Sequence, residues 1–130
     1  MSLKYIVPMI VCAMLLLNGC SESKREPAYR QVEMAEAIAM MEEETDYVIL
    51  DVRTKEEFGE KHIPDAINIP NEEIGTAEIV ELPDKNQLIL VYCRSGNRSK
   101  QASEKLAALG YTNIVEFGGI NDWPGETISD

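Results

Sequence analysis

The chain has 130 residues, of which 45% are hydrophobic, and its formal net charge is −11. This length allows one domain besides terminal segments, with an apolar core of ordinary size. The acidic balance argues against nucleic-acid binding, because the neutralisation of phosphates requires clustered Lys and Arg side chains. The only basic cluster directly follows Cys93, so attraction for anions is expected at one pocket of an otherwise repulsive surface.

Residues 1–19 have the pattern of a signal peptide. Lys4 precedes a mostly apolar run that ends at Leu17 and is too short for a transmembrane helix of about 20 residues. The four residues from Leu17 to Cys20 resemble the bacterial lipobox, whose cysteine is acylated and becomes the mature N-terminus. We therefore expect an exported cell-envelope protein, anchored by lipid on Cys20 to a membrane at its periplasmic or outer face, with residues 20–28 as a flexible tether. A plain secretion signal or an uncleaved N-terminal anchor is the alternative.

The cysteine count singles out Cys93. Cys12 lies in the predicted signal peptide and Cys20 is the predicted lipid attachment site, so the mature chain has no pair of cysteines left for an internal disulfide. An unpaired thiol in an exported protein is more typical of a reactive group than of a structural one.

The folded domain is predicted to span residues 29–130, and its first half alternates strands and helices. The expected elements are an edge strand at 29–32, a helix at 34–44, a buried strand at 47–52 and a short helix that ends at residue 60. Thr54 and Glu57 have the spacing of a capping box for that short helix.

The second half continues this alternation. Residues 71–80 are predicted to be helical with Ile74, Ile79 and Val80 facing inward. A buried strand at 88–92, a helix from residue 100 that Gly110 ends, and a last strand at 114–117 follow. The alternation predicts an α/β fold with a parallel sheet, right-handed crossovers and helices on both faces. The site then lies beyond the carboxyl ends of the strands, where Asp51, Arg53 and Cys93 meet.

The loop between the 88–92 strand and the following helix favours a nucleophilic cysteine. Backbone N–H groups at such a junction point inward together, and the helix dipole adds positive potential, so the loop stabilises anions and a thiolate. Arg94 and Arg98 are expected to lower the pKa of Cys93 further, Gly96 to permit the turn, and Ser99 to offer a hydroxyl. An inert buried core cysteine is the alternative. We find no metal-ligand spacing and no glycine-rich nucleotide loop.

The spacing within this loop separates two chemistries. Four residues lie between Cys93 and Arg98, whereas cysteine phosphatases have five between their cysteine and arginine. The loop from Cys93 to Ser99 instead resembles the active-site loop of the rhodanese family of sulfurtransferases. The segments 51–58, 62–70 and 118–123 also resemble rhodanese domains, and the last of these packs near the active site in that family. The family usually has glycine where Lys61 and Asp65 stand here, and Asp65 is expected in the left-handed region.

The resemblance implies a five-stranded rhodanese-like sheet and a sulfurtransferase that needs no cofactor. Its nucleophile would be Cys93, which carries a persulfide between a small anionic donor such as thiosulfate and a thiol, cyanide or protein acceptor. The substrate-binding residues would be Arg94, Ser95, Gly96, Asn97, Arg98 and Ser99. Backbone amides of the loop would hold the sulfur, both arginines would orient the donor, and Ser99 would bond the sulfur or cap the helix.

Three assignments stay open beside this hypothesis. Asp51 and Arg53 either form a salt bridge that fixes a turn or contact the substrate. His62, the only histidine, is expected to have a structural part rather than to act as a base, because the family uses no Cys-His pair. The alternative functions are a non-catalytic module that binds a protein partner, a redox or persulfide sensor and, less favoured by the spacing, a small-anion phosphatase.

Overall fold

The computed structural model describes residues 28–130. The predicted signal peptide, the predicted lipidation site Cys20 and residues 21–27 of the predicted tether lie outside the described residues. Within residues 28–130, no helix is long and apolar enough to cross a membrane.

The described residues form a five-stranded sheet in which every neighbouring pair of strands is parallel, with the order β1-β5-β4-β2-β3. The strands are β1 (Arg30–Gln31), β2 (Tyr47–Asp51), β3 (Ile67–Asn68), β4 (Leu88–Cys93) and β5 (Ile114–Gly119). The central strand β4 is buried at all six positions, as expected for a parallel strand covered on both faces. The predicted α/β class with a parallel five-stranded sheet is therefore confirmed.

The helices cover both faces of this sheet, as predicted. They are α1 (Met34–Glu43), α2 (Lys55–Glu60) and α3 (Asn97–Ala108), with short 3₁₀ turns at Asn71–Glu73 and Ile120–Asp122. Ala37 of α1 packs in one hydrophobic cluster with residues of β2, β4 and β5. Ala102 and Leu106 of α3 pack in a second cluster on the opposite face. Complete burial of Leu106 alone contributes about 1.5 to 3 kcal/mol to folding.

The helix predicted at residues 71–80 is wrong. Only Asn71–Glu73 form a 3₁₀ turn, and an irregular segment follows. Ile74 and Ile79 are buried as expected, but the side chain of Val80 is 87% exposed. Two apolar side chains anchor this segment to the α3 face of the sheet without the repeating apolar stripe that a helix would need.

Helix α3 starts at Asn97, three residues before the predicted start at Lys100. Its C-terminal end is close to the prediction, because Gly110 adopts φ 101°, a left-handed conformation that favours glycine. Asp65 is also left-handed, with φ 73°, as predicted. Thr54 and Glu57 form the predicted capping box of α2.

Candidate active site

Cys93 is the last residue of β4, at the carboxyl edge of the sheet, and only 1% of it is exposed. The pairing of β4 with β5 shifts register between Val91 and Cys93, which brings Cys93 opposite Gly119. A Cβ atom on Gly119 would lie 2.0 Å from the carbonyl oxygen of Arg94, so only glycine fits there. The Arg94 carbonyl also accepts a hydrogen bond of 3.2 Å from the Asn121 backbone N–H. Segment 118–123 therefore packs on the loop that follows the cysteine, as the family resemblance implied.

The loop after Cys93 folds back over the sulfur. Gly96 has φ 119°, and its backbone N–H donates to Sγ of Cys93 at 3.0 Å. The Ser99 hydroxyl lies 3.4 Å from the same sulfur. Because α3 begins at Asn97, immediately after this turn, the positive end of its dipole is directed at the thiol. Strand β4 and helix α3 thus place the sulfur where a negative charge is stabilised.

The hydrogen bonds of this loop set the pKa of Cys93. Burial raises the pKa of the thiol, but hydrogen bonds from the Ser99 side chain and from the backbone N–H groups of Ser99, Gly96 and Ser95 outweigh it. The net pKa lies below the ordinary value for a cysteine. A lowered pKa increases the thiolate fraction, and the thiolate is the nucleophilic form.

The two arginines of the loop are paired with the carboxylate of Glu57, for which the sequence predicted only a part in the capping box. Arg98 donates two hydrogen bonds to Glu57, at 2.8 and 3.1 Å, and Nε of Arg94 donates to the same carboxylate at 3.3 Å. Hydrogen bonds from Arg98 are the largest cause that lowers the pKa of Glu57, and they outweigh the opposing effect of burial. The hydrogen bonds to Glu57 are the largest cause that raises the pKa of Arg98, and the negative charge of the Cys93 thiolate raises it further, so Arg98 and the thiolate attract each other. Arg98 is thus already charge-paired, whereas Arg94 remains 59% exposed at the surface.

The other loop residues differ in whether their backbone or their side chain lies at the thiol. Ser95 and Asn97 expose their side chains to solvent. Ser95 acts on Cys93 through its backbone N–H, and Asn97 forms the first residue of α3. Ser99 does not supply the side-chain cap of α3, because its hydroxyl bonds groups around the thiol instead. Contact of Ser95, Asn97 and Ser99 with the substrate remains a prediction.

Asp51 and Arg53 form a salt bridge, which was one of the two alternatives predicted from the sequence. Arg53 Nη2 lies 2.7 Å from an Asp51 carboxylate oxygen, and both side chains are almost fully buried. Arg53 also donates to the carbonyl of Lys61 at 2.7 Å and lies over the Tyr92 ring. Tyr92 belongs to the α1 face of the sheet, whereas Cys93 belongs to the α3 face. The pair therefore fixes the turn that carries α2 and Glu57, and no hydrogen bond within residues 28–130 joins it to Cys93.

His62 lies in a structural position. Its Nδ1 is 2.8 Å from the Phe58 carbonyl oxygen, its ring stacks on Phe58, and its backbone forms a bridge with Ile128. These contacts fit the expected structural part. In the part of the chain that the structure describes, no group of three or more His, Cys, Asp or Glu side chains is placed to hold a metal ion.

Glu116 is a buried residue near the thiol whose role was not predicted from the sequence. Its carboxylate accepts hydrogen bonds from the Ser99 hydroxyl and, at 3.0 Å, from the Gly118 backbone N–H. The residue is only 2% exposed. The signal was present in the sequence, because a single charged residue within the apolar run Ile114-Val115-Glu116-Phe117 must find a polar partner when the strand is buried.

Comparison with known proteins identifies the family of the chain. Residues 33–126 match the family of rhodanese-like domains. The chain is 41% identical over 73 residues to the thiosulfate sulfurtransferase PspE of Escherichia coli, which covers 56% of this chain and 70% of PspE. It is 38% identical over 79 residues to a sulfurtransferase of Allochromatium vinosum, covering 60% of this chain and 72% of that protein. By contrast, the chain spans only 19% of the adenylyltransferase and sulfurtransferase uba4 of Ogataea parapolymorpha, to which it is 38% identical over 76 residues.

Solved structures show the same fold. A rhodanese with anions from E. coli superposes with a TM-score of 0.59 at 36% identity, covering 65% of this chain and 99% of that one. A rhodanese-like domain protein from Staphylococcus aureus gives a TM-score of 0.67 at 29% identity, covering 78% of this chain and 98% of that one. The chain therefore belongs to the rhodanese-like domain family and is a sulfurtransferase of that family.

Proposed function

We propose that Cys93 carries sulfane sulfur as a persulfide between a small anionic donor and a nucleophilic acceptor. With thiosulfate as donor, the Cys93 thiolate attacks the outer sulfur and forms an S–S bond. The sulfur–sulfur bond of thiosulfate breaks, its electron pair leaves with sulfite, and Cys93 becomes a persulfide anion. Cyanide or a thiolate then attacks the outer sulfur of that persulfide, which yields thiocyanate or a new persulfide and returns Cys93 as a thiolate.

The observation that carries this proposal is the set of hydrogen bonds around the thiol. Gly96 N–H lies 3.0 Å from Sγ, and the backbone amides of Ser95 and Ser99 lower the pKa of the thiol with it. Preorganised amides stabilise negative charge on a sulfur without a reorganisation cost. The same loop can stabilise the anionic outer sulfur of a persulfide, which lies one bond further from the strand.

Arg94 supports the choice of an anionic donor. It is 59% exposed, and the described hydrogen bonds engage only its Nε, through Glu57. Its terminal guanidinium nitrogens are therefore available to bind a donor anion at the mouth of the loop. Most of the other charged side chains are acidic, so a dianion is attracted to this small basic area.

The persulfide step can be tested by the intact mass of the purified protein after incubation with thiosulfate. We expect a gain of about 32 Da, one sulfur atom, that is lost again when cyanide is added. The Cys93→Ala variant keeps every other thiol of the chain and should show no gain. A protein without the gain, but with Cys93 reactive to an alkylating agent, would exclude thiosulfate as donor and favour a protein donor, a sensor or a binding module.

We further propose that the chain is exported and attached to a membrane by lipid on Cys20, with residues 1–19 removed. The support is the lipobox-like sequence before Cys20 and the short apolar run that precedes it. Radiolabelled palmitate supplied to expressing bacteria should label the wild-type protein, which should sediment with membranes. Cys20→Ala should lose the label, whereas Cys12→Ala should keep it. An unlabelled wild-type protein would refute lipidation.

A further inference from the structure

Glu57 opposes the positive charge of the loop that follows Cys93. Both terminal nitrogens of Arg98 donate to its carboxylate, one to each oxygen, at 2.8 and 3.1 Å. Nε of Arg94 donates to Oε2 of the same carboxylate at 3.3 Å. The proposed function uses the charge of these arginines to attract an anionic donor, but it gives no role to the carboxylate between them.

The first turn of α2 holds the Glu57 carboxylate in place. The backbone N–H and the hydroxyl of Thr54 donate to Oε1 at 3.0 and 3.1 Å, in addition to the bond from Arg98. The side chain of Glu57 is only 19% exposed. Because α2 begins with this capping box, a fixed carboxylate rather than a mobile surface side chain faces the two arginines.

The charges around the thiol almost cancel at neutral pH. Hydrogen bonds from Arg98 lower the pKa of Glu57, so its carboxylate stays ionised, and an arginine side chain stays protonated in proteins. Glu57 therefore cancels one of the two positive charges of the loop. The one that is left is equal in size to the negative charge of the Cys93 thiolate, or of the persulfide anion that replaces it.

We infer that Glu57 limits the attraction of the active site for anions by cancelling one of the two arginine charges beside Cys93. It is a positioning residue, because it acts on the reactants through Arg98 and Arg94. Arg98 has both terminal nitrogens bound to Glu57, so the exposed Arg94 attracts the donor at short range. A site without an excess of positive charge releases an anionic product such as sulfite more readily. This role of Glu57 rests on the proposed function, because it concerns the reactants of the same thiol.

The test measures the effect of charge at Cys93 without any sulfur donor, so its outcome is independent of persulfide formation. Iodoacetate is an anion and iodoacetamide is neutral, and the thiolate displaces iodide from both. The ratio of their rate constants at Cys93 does not depend on the thiolate fraction, because the same thiolate attacks both reagents. Peptide mass spectrometry of the full chain gives the rates for Cys93 separately from those of any other cysteine.

Glu57→Gln should raise the ratio of the iodoacetate rate to the iodoacetamide rate about two- to tenfold at low ionic strength. This range is expected for one unit charge that acts over several ångströms near a protein surface, and added salt should reduce the effect. A loosened loop would change both rates in the same proportion and leave the ratio unchanged. Glu56→Gln removes an exposed carboxylate from the same turn and should keep the ratio near that of wild type.

Arg98→Gln completes the test, alone and combined with Glu57→Gln. Arg98→Gln should lower the ratio, because Glu57 then opposes Arg94 alone, and the double variant should restore it toward wild type. An unchanged ratio in Glu57→Gln, or an equal rise in Glu56→Gln, would overturn the inference. If Glu57→Gln does not fold, a double variant with a ratio no higher than that of Arg98→Gln overturns it instead. Expected ratios in a protein that gains no sulfur from thiosulfate would support the role of Glu57 and refute the proposed donor.

Discussion

Removing the charge of Glu57 tests the pairing that holds the arginines of the active-site loop. Glu57→Gln keeps the capping box, because glutamine also accepts a hydrogen bond from the Thr54 backbone N–H. The variant loses the charge-assisted bonds to Arg98 at 2.8 and 3.1 Å. Hydrogen bonds to charged groups contribute about 1.5 to 3 kcal/mol when buried. The side chains of Arg98 and Glu57 are 29% and 19% exposed, so solvent screens their attraction. We therefore expect the free energy of unfolding to fall by about 1 to 2 kcal/mol at pH 7.

The dependence of this loss on pH identifies its cause. The pKa of Glu57 in the folded protein is below its ordinary value, which is about 4.3 in the unfolded chain. The stabilisation by ionised Glu57 is therefore complete above the pKa of the unfolded chain. It disappears as the pH falls through the lowered pKa of the folded protein. We expect the difference in free energy of unfolding between wild type and Glu57→Gln, measured with urea, to be constant from pH 6 to 8, a range well above the carboxyl pKa. It should shrink below pH 4, about where ordinary carboxylates protonate.

Glu56→Gln is the matched control, because Glu56 lies in the same first turn of α2 but is exposed and forms none of the described salt bridges. Glu56→Gln should lower the free energy of unfolding by about 0.5 kcal/mol or less. A double-mutant cycle with Arg98→Gln should return most of the Glu57 loss as coupling energy. Equal losses for Glu57→Gln and Glu56→Gln, or a coupling energy near zero, would refute the assignment of Arg98 as the partner of Glu57.

Three other substitutions or titrations probe different parts of the site. Asp51→Asn leaves the buried charge of Arg53 unpaired and should cost about 3 to 5 kcal/mol in urea unfolding; a loss below about 1 kcal/mol contradicts the buried pair. Gly119→Ala forces the active-site loop away and should lower kcat/KM for sulfur transfer about a hundredfold, while Gly75→Ala, in open space, should retain wild-type activity. Alkylation of Cys93 should have a midpoint below the pKa of free cysteine, about 8.5; a midpoint at or above it contradicts stabilisation by amides.

The sequence allowed prediction of those parts of the fold that local patterns determine. Continuous apolar runs identified β2 and β4, and the turn chemistry of Thr54 with Glu57 identified the start of α2. The position of Cys93 at the end of a buried strand followed from the same runs. In a parallel sheet the loops that follow the strands all lie at the carboxyl edge, so the location of the site followed from the class of fold.

Two kinds of feature could not be predicted from these patterns. Contacts between distant residues leave no local signal: Glu57 and Arg98 are 41 residues apart, and a role was predicted for each only within its own motif. Segments that form the active site also depart from the regular apolar patterns of helices and strands. The first turn of α3 is polar because Arg98 binds Glu57 and Ser99 bonds groups around the thiol, so the amphipathic pattern placed the helix start three residues late.

The two outermost strands of the sheet have a consequence for association between chains. A free strand edge offers unpaired N–H and C=O groups to which a strand of another molecule can add. Here the edge strands β1 and β3 have two residues each, and β1 carries the polar, exposed side chains of Arg30 and Gln31. Neither edge is long enough to direct the growth of an intermolecular sheet, so the long apolar strands at the centre stay protected from edge-to-edge aggregation.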